Sequence, residues 1–211
     1  MNIKIIEKNT EISWDEITDV IHDAYKEREK QNLHFAATRS TPAENAQKIL
    51  DGKCFLAMDN NEIAGLVFLR CPKWPYLTRK NGKQKWYCDK KYGMVINLAV
   101  KEKYKRHGIS KKLLQKLIDE CKDLKLDSII IDTSSKLKWL NQFYASFGFK
   151  KVDYISWNTT NYYTIVRRLN LNGKEYNNCY RVIRYLLSKF YTVVTLNKYG
   201  QKRIKIENKD K

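Results

Sequence analysis

Short apolar runs alternate with helically spaced apolar stripes along the first 170 residues of the chain. Seven runs bounded by polar turns predict strands, at residues 2–7, 54–59, 62–69, 94–100, 128–133, 149–157 and 162–169. The Asn60-Asn61 pair between the second and third runs predicts a tight β-hairpin. The helical stripes fall before, between and after these runs. The pattern predicts an α/β (α+β) fold in which a mixed central sheet is flanked by helices on both faces.

Two capping boxes predict where the first two helices begin. Ser13-Trp14-Asp15-Glu16 opens a helix whose buried stripe is predicted to be Trp14, Ile17, Val20, Ile21, Ala24 and Tyr25. Thr41-Pro42-Ala43-Glu44 places proline at the first helical position and opens a shorter helix, which we expect to stop at Gly52.

Two further helices are predicted in the second half of this region. The third carries an apolar stripe of Ile109, Leu113, Leu117, Cys121 and Leu124. The fourth carries Leu137, Leu140, Tyr144 and Phe147. Ser134 or Ser135 is expected to cap the fourth helix, and Gly148 is expected to end it.

The loop between the run at 94–100 and the third helix has the features of an anion-binding site. Residues 105–110 lie where backbone N–H groups lack helical partners and the helix dipole adds partial positive charge. Lys105, Arg106, Lys111 and Lys112 add full charges, so the loop suits a pyrophosphate. A P-loop is excluded because the chain contains no Gly-x-x-x-x-Gly-Lys-Ser/Thr sequence.

Two motifs carry a family resemblance. The order Lys105-Arg106-His107-Gly108-Ile109-Ser110, after a strand ending Asn97-Leu98-Ala99-Val100, resembles the acetyl-CoA signature of the GNAT superfamily of N-acetyltransferases. The later stretch 141–149, Asn-Gln-Phe-Tyr-Ala-Ser-Phe-Gly-Phe, is similar to that family's next helix. The resemblance covers residues 1–168. It implies a mostly antiparallel GNAT-like sheet, acetyl-CoA as co-substrate and no metal.

The resemblance also implies which residues form the site. Backbone N–H groups at Leu98, Ala99 and Val100 would bind the pantetheine arm and the thioester carbonyl. The pyrophosphate would be held by Lys105, Arg106, His107, Gly108, Ile109 and Ser110.

Tyr144 matches the family's general acid, which protonates the departing thiolate. A phenol with an ordinary pKa near ~10 stays protonated beside a thiol of pKa ~8.5, and we expect the rate to fall at alkaline pH. The alternative is a core tyrosine on an apolar helix face.

The general base is not identified by the resemblance. Many family members place glutamate on the signature strand, but residues 94–97 are Met, Val, Ile and Asn here. Water chains are one candidate, and the side-chain candidates are Asp132, His22, His34 and Tyr92. A non-catalytic acyl-CoA binder therefore stays open.

The positive charge of the chain is concentrated in three segments, one of which is predicted to form a basic arm. The 211-residue chain carries a net charge of +18, with the excess in residues 71–92, 101–112 and 169–211. Segment 71–92, the basic arm, is longer than a normal strand connection, has an Asn-Gly turn, and is expected to lie near the acceptor side. Its Trp, Tyr and Lys residues could instead stack on single-stranded nucleic acid.

With no signal peptide and no run near the ~20 apolar residues of a membrane span, we expect a cytoplasmic protein without a membrane partner.

The remaining features concern the cysteines and the C-terminus. Five cysteines without a C-x-x-C pair predict free thiols and no zinc site. Residues 169–211 lie beyond the family pattern and are predicted to form a helix and a small hairpin docked on the domain at 1–168. A membrane-surface helix is the alternative for this extension.

The predicted function is transfer of an acetyl group to a primary amine of a small molecule, such as an amino sugar or amine metabolite. In the family pattern the two-helix region after the first strand shapes the acceptor pocket, and its net negative charge is expected to suit a cationic amine. One alternative acceptor is a peptide or ribosomal-protein amine. Another alternative is a nucleic-acid binding module on the same fold. The oligomeric state is not predicted.

Overall fold

A single seven-stranded sheet organises the computed structural model, which describes residues 1–71, 91–156 and 160–173. The strands lie in the order β1-β2-β3-β4-β5-β7-β6. Their bounds are β1 Ile3–Glu7, β2 Gly52–Asp59, β3 Glu62–Arg70, β4 Tyr92–Val100, β5 Ser128–Ser134, β6 Lys150–Ser156 and β7 Tyr163–Asn170. All neighbouring strands are antiparallel except β4 and β5, which are parallel. The predicted mixed, mostly antiparallel fold is confirmed.

Four α-helices accompany the sheet in the described residues: α1 Trp14–Lys30, α2 Pro42–Gln47, α3 Ile109–Asp123 and α4 Lys138–Ser146. Helix α1 packs on one face and α3 on the other, because successive side chains of a strand point to opposite faces. Cys54 and Leu56 of β2 therefore pack with α1, whereas Phe55 and Ala57 pack with α3. Both faces of the central strands are buried, which explains their continuous apolar runs.

Both predicted capping boxes form. The Ser13 hydroxyl accepts from the Glu16 N–H at 3.2 Å, and the Thr41 hydroxyl accepts from the Glu44 N–H at 3.2 Å. The predicted extent of α2 is wrong, because the helix ends at Gln47 and residues 48–51 form turns. The strand β2 then begins at Gly52, where an added Cβ would lie 1.9 Å from the Leu69 carbonyl oxygen.

Two details of the later helices also differ from the predictions. Leu124 follows the end of α3 and is 43% exposed, so the buried stripe ends at Cys121. Leu137, rather than a serine, occupies the N-cap of α4. The Ser134 hydroxyl belongs to β5 and accepts from the Lys136 N–H at 3.2 Å, which leaves it outside the helix cap.

The described chain continues slightly beyond the predicted domain boundary at residue 168. Strand β7 runs to Asn170, and the Leu171 N–H donates to the Asp127 carbonyl at 2.9 Å. Most of the basic arm, at 72–90, and most of the C-terminal extension, at 174–211, lie outside the described residues, as do residues 157–159. The ends of the arm segment are described, and Tyr92 belongs to β4 as the partner of Ser128.

Candidate active site

The parallel strands β4 and β5 separate halfway along their length. Their pairing starts at Tyr92 and Ser128 and ends at Val95 and Ile131, although β4 continues to Val100 and β5 to Ser134. The register of β3 against β4 also shifts here, so that Val67 faces both Asn97 and Leu98. Asn97 has a left-handed φ of 50°, as in a β-bulge. The separation and the bulge open a gap in the sheet, and a cavity of about 960 Å³ occupies it.

The loop before α3 presents open backbone N–H groups to this cavity. Gly108 caps the helix in a left-handed conformation with a φ of 75°, and Arg106 has a φ of 67°. The first helical bond runs from the Lys112 N–H to the Gly108 carbonyl at 3.1 Å. Within the part of the chain that the structure describes, no hydrogen bond is formed by the N–H groups of residues 109–111. Such a helix start favours an anion.

Two predicted loop residues contribute differently from expectation. The Lys105 N–H donates to the Glu102 carbonyl at 3.1 Å, and the Lys105 ammonium pairs with the Glu102 carboxylate. The predicted set of open N–H groups from Lys105 onward is therefore wrong at its first residue. The His107 side chain is exposed and does not line the cavity, while residues 105, 106 and 108–111 do.

Glu62 fixes the segment that precedes this loop. Its carboxylate accepts from Lys101 at 3.0 Å, Lys103 at 2.7 Å and the Tyr104 hydroxyl at 3.0 Å. The hydrogen bonds from Lys103 and then Lys101 lower the pKa of Glu62 to about 2. The carboxylate therefore stays ionised through the physiological pH range and holds the loop entrance against β3.

The register of β4 decides which N–H groups face the gap. The Lys101 N–H donates to the Ala64 carbonyl at 2.9 Å, on the β3 side. Because alternate N–H groups of a regular strand point to opposite sides, that of Val100 faces the gap and that of Ala99 faces β3, whereas Leu98 lies in the bulge opposite Val67. The predicted N–H donor at Ala99 is therefore wrong, although Ala99 lines the cavity.

Tyr144 lines the same cavity from α4. The helix ends in a Schellman motif, in which the Phe149 N–H donates to the Tyr144 carbonyl and the Gly148 N–H to the Ala145 carbonyl. Gly148 takes the required left-handed φ of 86°. The Tyr144 side chain is 4% exposed, and its hydroxyl forms no hydrogen bond with any described residue. Burial, and then the charges of Tyr25 and Asp132, raise the pKa of Tyr144 well above its ordinary value.

A buried network that the sequence did not reveal positions α4. The Asn141 side chain, 6% exposed, donates to the carbonyls of Ser134 and Leu137, each at 2.9 Å. Its oxygen accepts from the Arg167 Nε at 3.2 Å, and Arg167 also donates to the Phe149 carbonyl at 3.1 Å. The network ties both ends of α4 to β5 and β7, so it fixes the helix that carries Tyr144.

Of the four candidate side-chain bases, the structure places one in the cavity. Asp132 on β5 lines it. The His22 Nε2 bonds the Ser40 carbonyl at 3.0 Å, His34 is exposed, and Tyr92 is 3% exposed near the start of the β4–β5 pairing. None of these three lines the cavity.

Asp132 acts electrostatically on three tyrosines, of which Tyr144 and Tyr162 are buried and Tyr25 is half-buried. Burial raises the pKa of Tyr25 to about 12, with a further contribution from the negative charge of Asp132. The same two causes, with Tyr25 added, raise the pKa of Tyr162 and Tyr144. One carboxylate therefore acts on three phenols, all of which line the cavity. The sequence pattern does not predict this group of tyrosines, because Tyr25 and Tyr162 each fit the pattern of an ordinary core residue.

An aromatic wall of Tyr25, Phe35 and Tyr162 lines the cavity between α1 and the residues before β7. The Phe35 ring contacts Tyr25 with centroids 5.4 Å apart and Tyr162 with centroids 5.0 Å apart. Asn161 joins the same two regions, because its amide donates to the Asn32 carbonyl at 2.8 Å and its oxygen accepts from the His34 N–H at 3.0 Å.

The charged residues that α1 and the segment after α2 bring to the cavity are cations. Arg28 and Lys48 line it, as does Arg70 at the end of β3, whereas the acidic residues of these helices do not. Asp132 is the single carboxylate among the described lining residues. The expectation that the net negative charge of the two-helix region suits a cationic amine is therefore wrong, because net charge does not tell which helix face a residue occupies.

Neither a metal cluster nor a membrane span is found in the described residues. Residues 1–71, 91–156 and 160–173 contain no group of three or more His, Cys, Asp or Glu side chains that could hold a metal ion. Over the same ranges no helix combines the length and the apolar character needed to cross a membrane.

Comparisons with known proteins agree with the geometry. The family model described as the acetyltransferase (GNAT) family matches residues 14–149. A GNAT family acetyltransferase from Elizabethkingia anophelis, solved with acetyl-CoA bound, is 21% identical with a TM-score of 0.54, and the match covers 81% of this chain and 99% of that chain. No curated protein matches the chain.

Two further solved structures share the fold. The ribosomal-protein-S18-alanine N-acetyltransferase from Escherichia coli is 15% identical with a TM-score of 0.60, covering 83% of this chain and 98% of that chain. The PaiA N-acetyltransferase from Thermoplasma acidophilum, in complex with coenzyme A, is 15% identical with a TM-score of 0.60, covering 81% and 100%. The family model spans more than half of the sequence and includes both motifs. The chain therefore belongs to the GNAT family of acetyltransferases and is an acyltransferase enzyme.

Proposed function

We propose that the protein transfers the acetyl group of acetyl-CoA to a primary amine of a small molecule. One observation carries this proposal. One shared cavity, between the separated ends of β4 and β5, is lined by the open helix start at residues 108–111, by Asp132 and by Tyr144. An anion cradle, a carboxylate and a buried phenol are the groups that acetyl transfer from a CoA thioester needs.

The residues present fit acetyl-CoA. An added Cβ at Gly108 meets nothing within 4 Å, so the helix start is open to a pyrophosphate. The edge of β4 offers the Val100 N–H to a pantetheine amide carbonyl, and Leu98, which lies in the bulge, also lines the cavity. Asn97 lines the cavity with a buried side-chain nitrogen that has no hydrogen-bond partner among the described residues. The bound thioester would supply an activated acyl carbonyl.

Asp132 and Tyr144 take the two proton-transfer roles in this proposal. Asp132 accepts one proton from the acceptor's ammonium group, and the freed nitrogen pair then bonds the thioester carbonyl carbon. As the carbon–sulfur bond breaks, Tyr144 donates its proton to sulfur. The amide nitrogen loses its second proton to solvent, Asp132 releases the proton that it accepted, and a proton from solvent restores the Tyr144 phenol. Burial supports Tyr144 in this role, because its raised pKa keeps the phenol protonated before the transfer.

The aromatic wall supports a small acceptor. A peptide needs a groove that is open for the chain on both sides of the reactive amine, whereas the contacts of Phe35 and Asn161 link α1 to the start of β7 on one side. A covering role for the basic arm at 71–92 remains a prediction, as does a cytoplasmic location. Replacement of residues 77–86 by an Asn-Gly turn tests the arm, since we expect a raised acceptor KM with unchanged acetyl-CoA affinity.

The direct test is release of free CoA thiol across panels of small amines and amine-bearing peptides, with mass spectrometry of the products. We expect N-acetylated small amines. Turnover confined to peptides would replace the proposed acceptor class. Salt-sensitive RNA binding without any turnover would instead favour the nucleic-acid interpretation.

A further inference from the structure

We infer that the acceptor carries an anionic group, a carboxylate or a phosphate, in addition to its reactive amine, and that Lys48 and Arg28 bind this group. The inference rests on the proposed function and narrows its substrate class. Its basis is the arrangement of fixed charges around the cavity.

Lys48 is a positioned cation. Its ammonium donates to the Asn45 side-chain oxygen at 2.7 Å, and Asn45, which is completely buried, donates from its amide to the Thr18 hydroxyl at 2.9 Å. Within the described residues Lys48 has no carboxylate in salt-bridge distance, and its side chain is half-buried at the cavity. Burial lowers its pKa, although the charge of Glu44 opposes this effect. A half-buried ammonium that lacks a carboxylate is stabilised by an anionic ligand.

Arg28 is the second cation, and it is also held in place. Its guanidinium lies over the Trp139 ring at 5.1 Å from the centroid and donates to the Gln31 side chain at 3.2 Å. One Gln31 contact leaves other N–H groups of the fork for a ligand. Its positive charge also acts on Tyr25, which places it beside the phenols that Asp132 influences.

The charge balance of the lining favours an acceptor with both signs of charge. Arg28 and Lys48 supply two cations from α1 and the segment after α2, while Asp132 is the one carboxylate of the described lining. A simple ammonium would meet Asp132 but would also be repelled by these cations. An acceptor that also bears an anion removes the conflict. The cofactor pyrophosphate has its own proposed site at the start of α3, residues 108–111, on a different element from Arg28 and Lys48.

Matched acceptor pairs test the inference. The carboxylate pair is β-alanine and propylamine, and the phosphate pair is phosphoethanolamine and ethanolamine. We expect kcat/KM to be at least about tenfold higher for one anionic member, and the two pairs distinguish carboxylate from phosphate.

Lys48→Met should reduce that preference about tenfold or more, because a hydrogen bond to a charged group is lost. Lys48→Arg should restore most of it. Lys26 is the control: it is an exposed residue of α1, the helix that carries Arg28, and it does not line the cavity. Lys26→Met should leave the preference unchanged.

Calorimetric binding of the same four compounds to the CoA complex gives a readout that does not need turnover. Tighter binding of an anionic member that Lys48→Met abolishes supports the inference even when no compound is acetylated, and in that case only the proposed function fails. Equal or tighter binding of propylamine and ethanolamine, the members without an anionic group, overturns the inference. An anionic preference that persists in folded Lys48→Met and Arg28→Met variants also overturns it.

Discussion

The Phe149 N–H donates to the Tyr144 carbonyl at 3.2 Å, and the two rings meet edge to face with centroids 6.1 Å apart. This pair joins the end of α4 to the start of the chain segment leading into β6. The backbone bond fixes the last helical turn and the ring contact fixes the side chain. The proposed acid is therefore held from both its backbone and its side chain.

Tyr144→Phe should lower kcat by ~10²–10⁴-fold with little change in acetyl-CoA affinity, because the ring packing is kept and the proton donor is lost. Since burial raises the pKa of this phenol, the group stays protonated between about pH 7 and pH 10. We therefore expect the ratio of wild-type to variant rates to stay constant over that range. The fall in the wild-type rate that an ordinary phenol pKa would cause at pH ~10 is therefore expected at a higher pH.

Rate–pH profiles of both proteins provide the measurement. Tyr163→Phe removes a hydroxyl from a β7 residue that does not line the cavity and serves as the control. Near wild-type turnover in Tyr144→Phe, with the chemical step rate-limiting, would make Tyr144 a core residue and leave the acid unassigned.

Asp132→Asn should lower kcat at neutral pH by ~10²-fold or more, because the amide cannot accept the ammonium proton. The loss should shrink as the pH rises towards the acceptor's own pKa of ~10, where more of the amine is already neutral. Asp123→Asn, at the exposed end of α3, is the control for charge. A loss that does not vary with pH would contradict a role as base.

Gly108→Asp should weaken acetyl-CoA binding by well over tenfold in a folded protein, because it places a negative charge beside the proposed pyrophosphate site. Gly108→Asn is the control, because asparagine has nearly the shape of aspartate and tolerates the left-handed φ of 75° equally well. The two variants therefore differ mainly in charge. Calorimetry should show a much smaller loss for Asn. Equal affinities for Asp and Asn would place the phosphates elsewhere.

Asn141→Leu should lower the free energy of unfolding by about 1–3 kcal/mol, because two carbonyls and the Arg167 Nε lose their partner. Because the network positions α4, we also expect kcat to fall more than acetyl-CoA affinity. Denaturant unfolding and steady-state kinetics provide the measurements, with Gln142→Leu on the exposed face of α4 as the control. Unchanged kcat in a destabilised variant would restrict Asn141 to a structural role.

Local chemistry was sufficient to predict the strands, both capping boxes, the turn at Asn60 and the glycine at the end of α4. Each depends on residues that are neighbours in sequence, such as Ser13 with Glu16. The anion cradle was predictable for the same reason, because a helix start and its charges lie within a few residues. Helix ends without such a signal were less predictable, and α2 stops five residues before Gly52.

Only the tertiary structure decided what surrounds the cradle. The separation of β4 from β5 after Val95 and Ile131 depends on strand pairing across 36 residues of sequence, which periodicity does not contain. The network from Asn141 to Arg167 spans 26 residues. The choice of Asp132 over His22 and His34 likewise followed from which side chains reach one cavity.

The charge of the acceptor region shows the same division most directly. The sequence by itself determined that the segment around α1 and α2 is acidic overall. The fold decided that Arg28 and Lys48 line the cavity while the acidic side chains point elsewhere. Helix orientation sets this outcome, because burying the Ile17–Ala24 stripe against the sheet fixes which remaining positions face the gap.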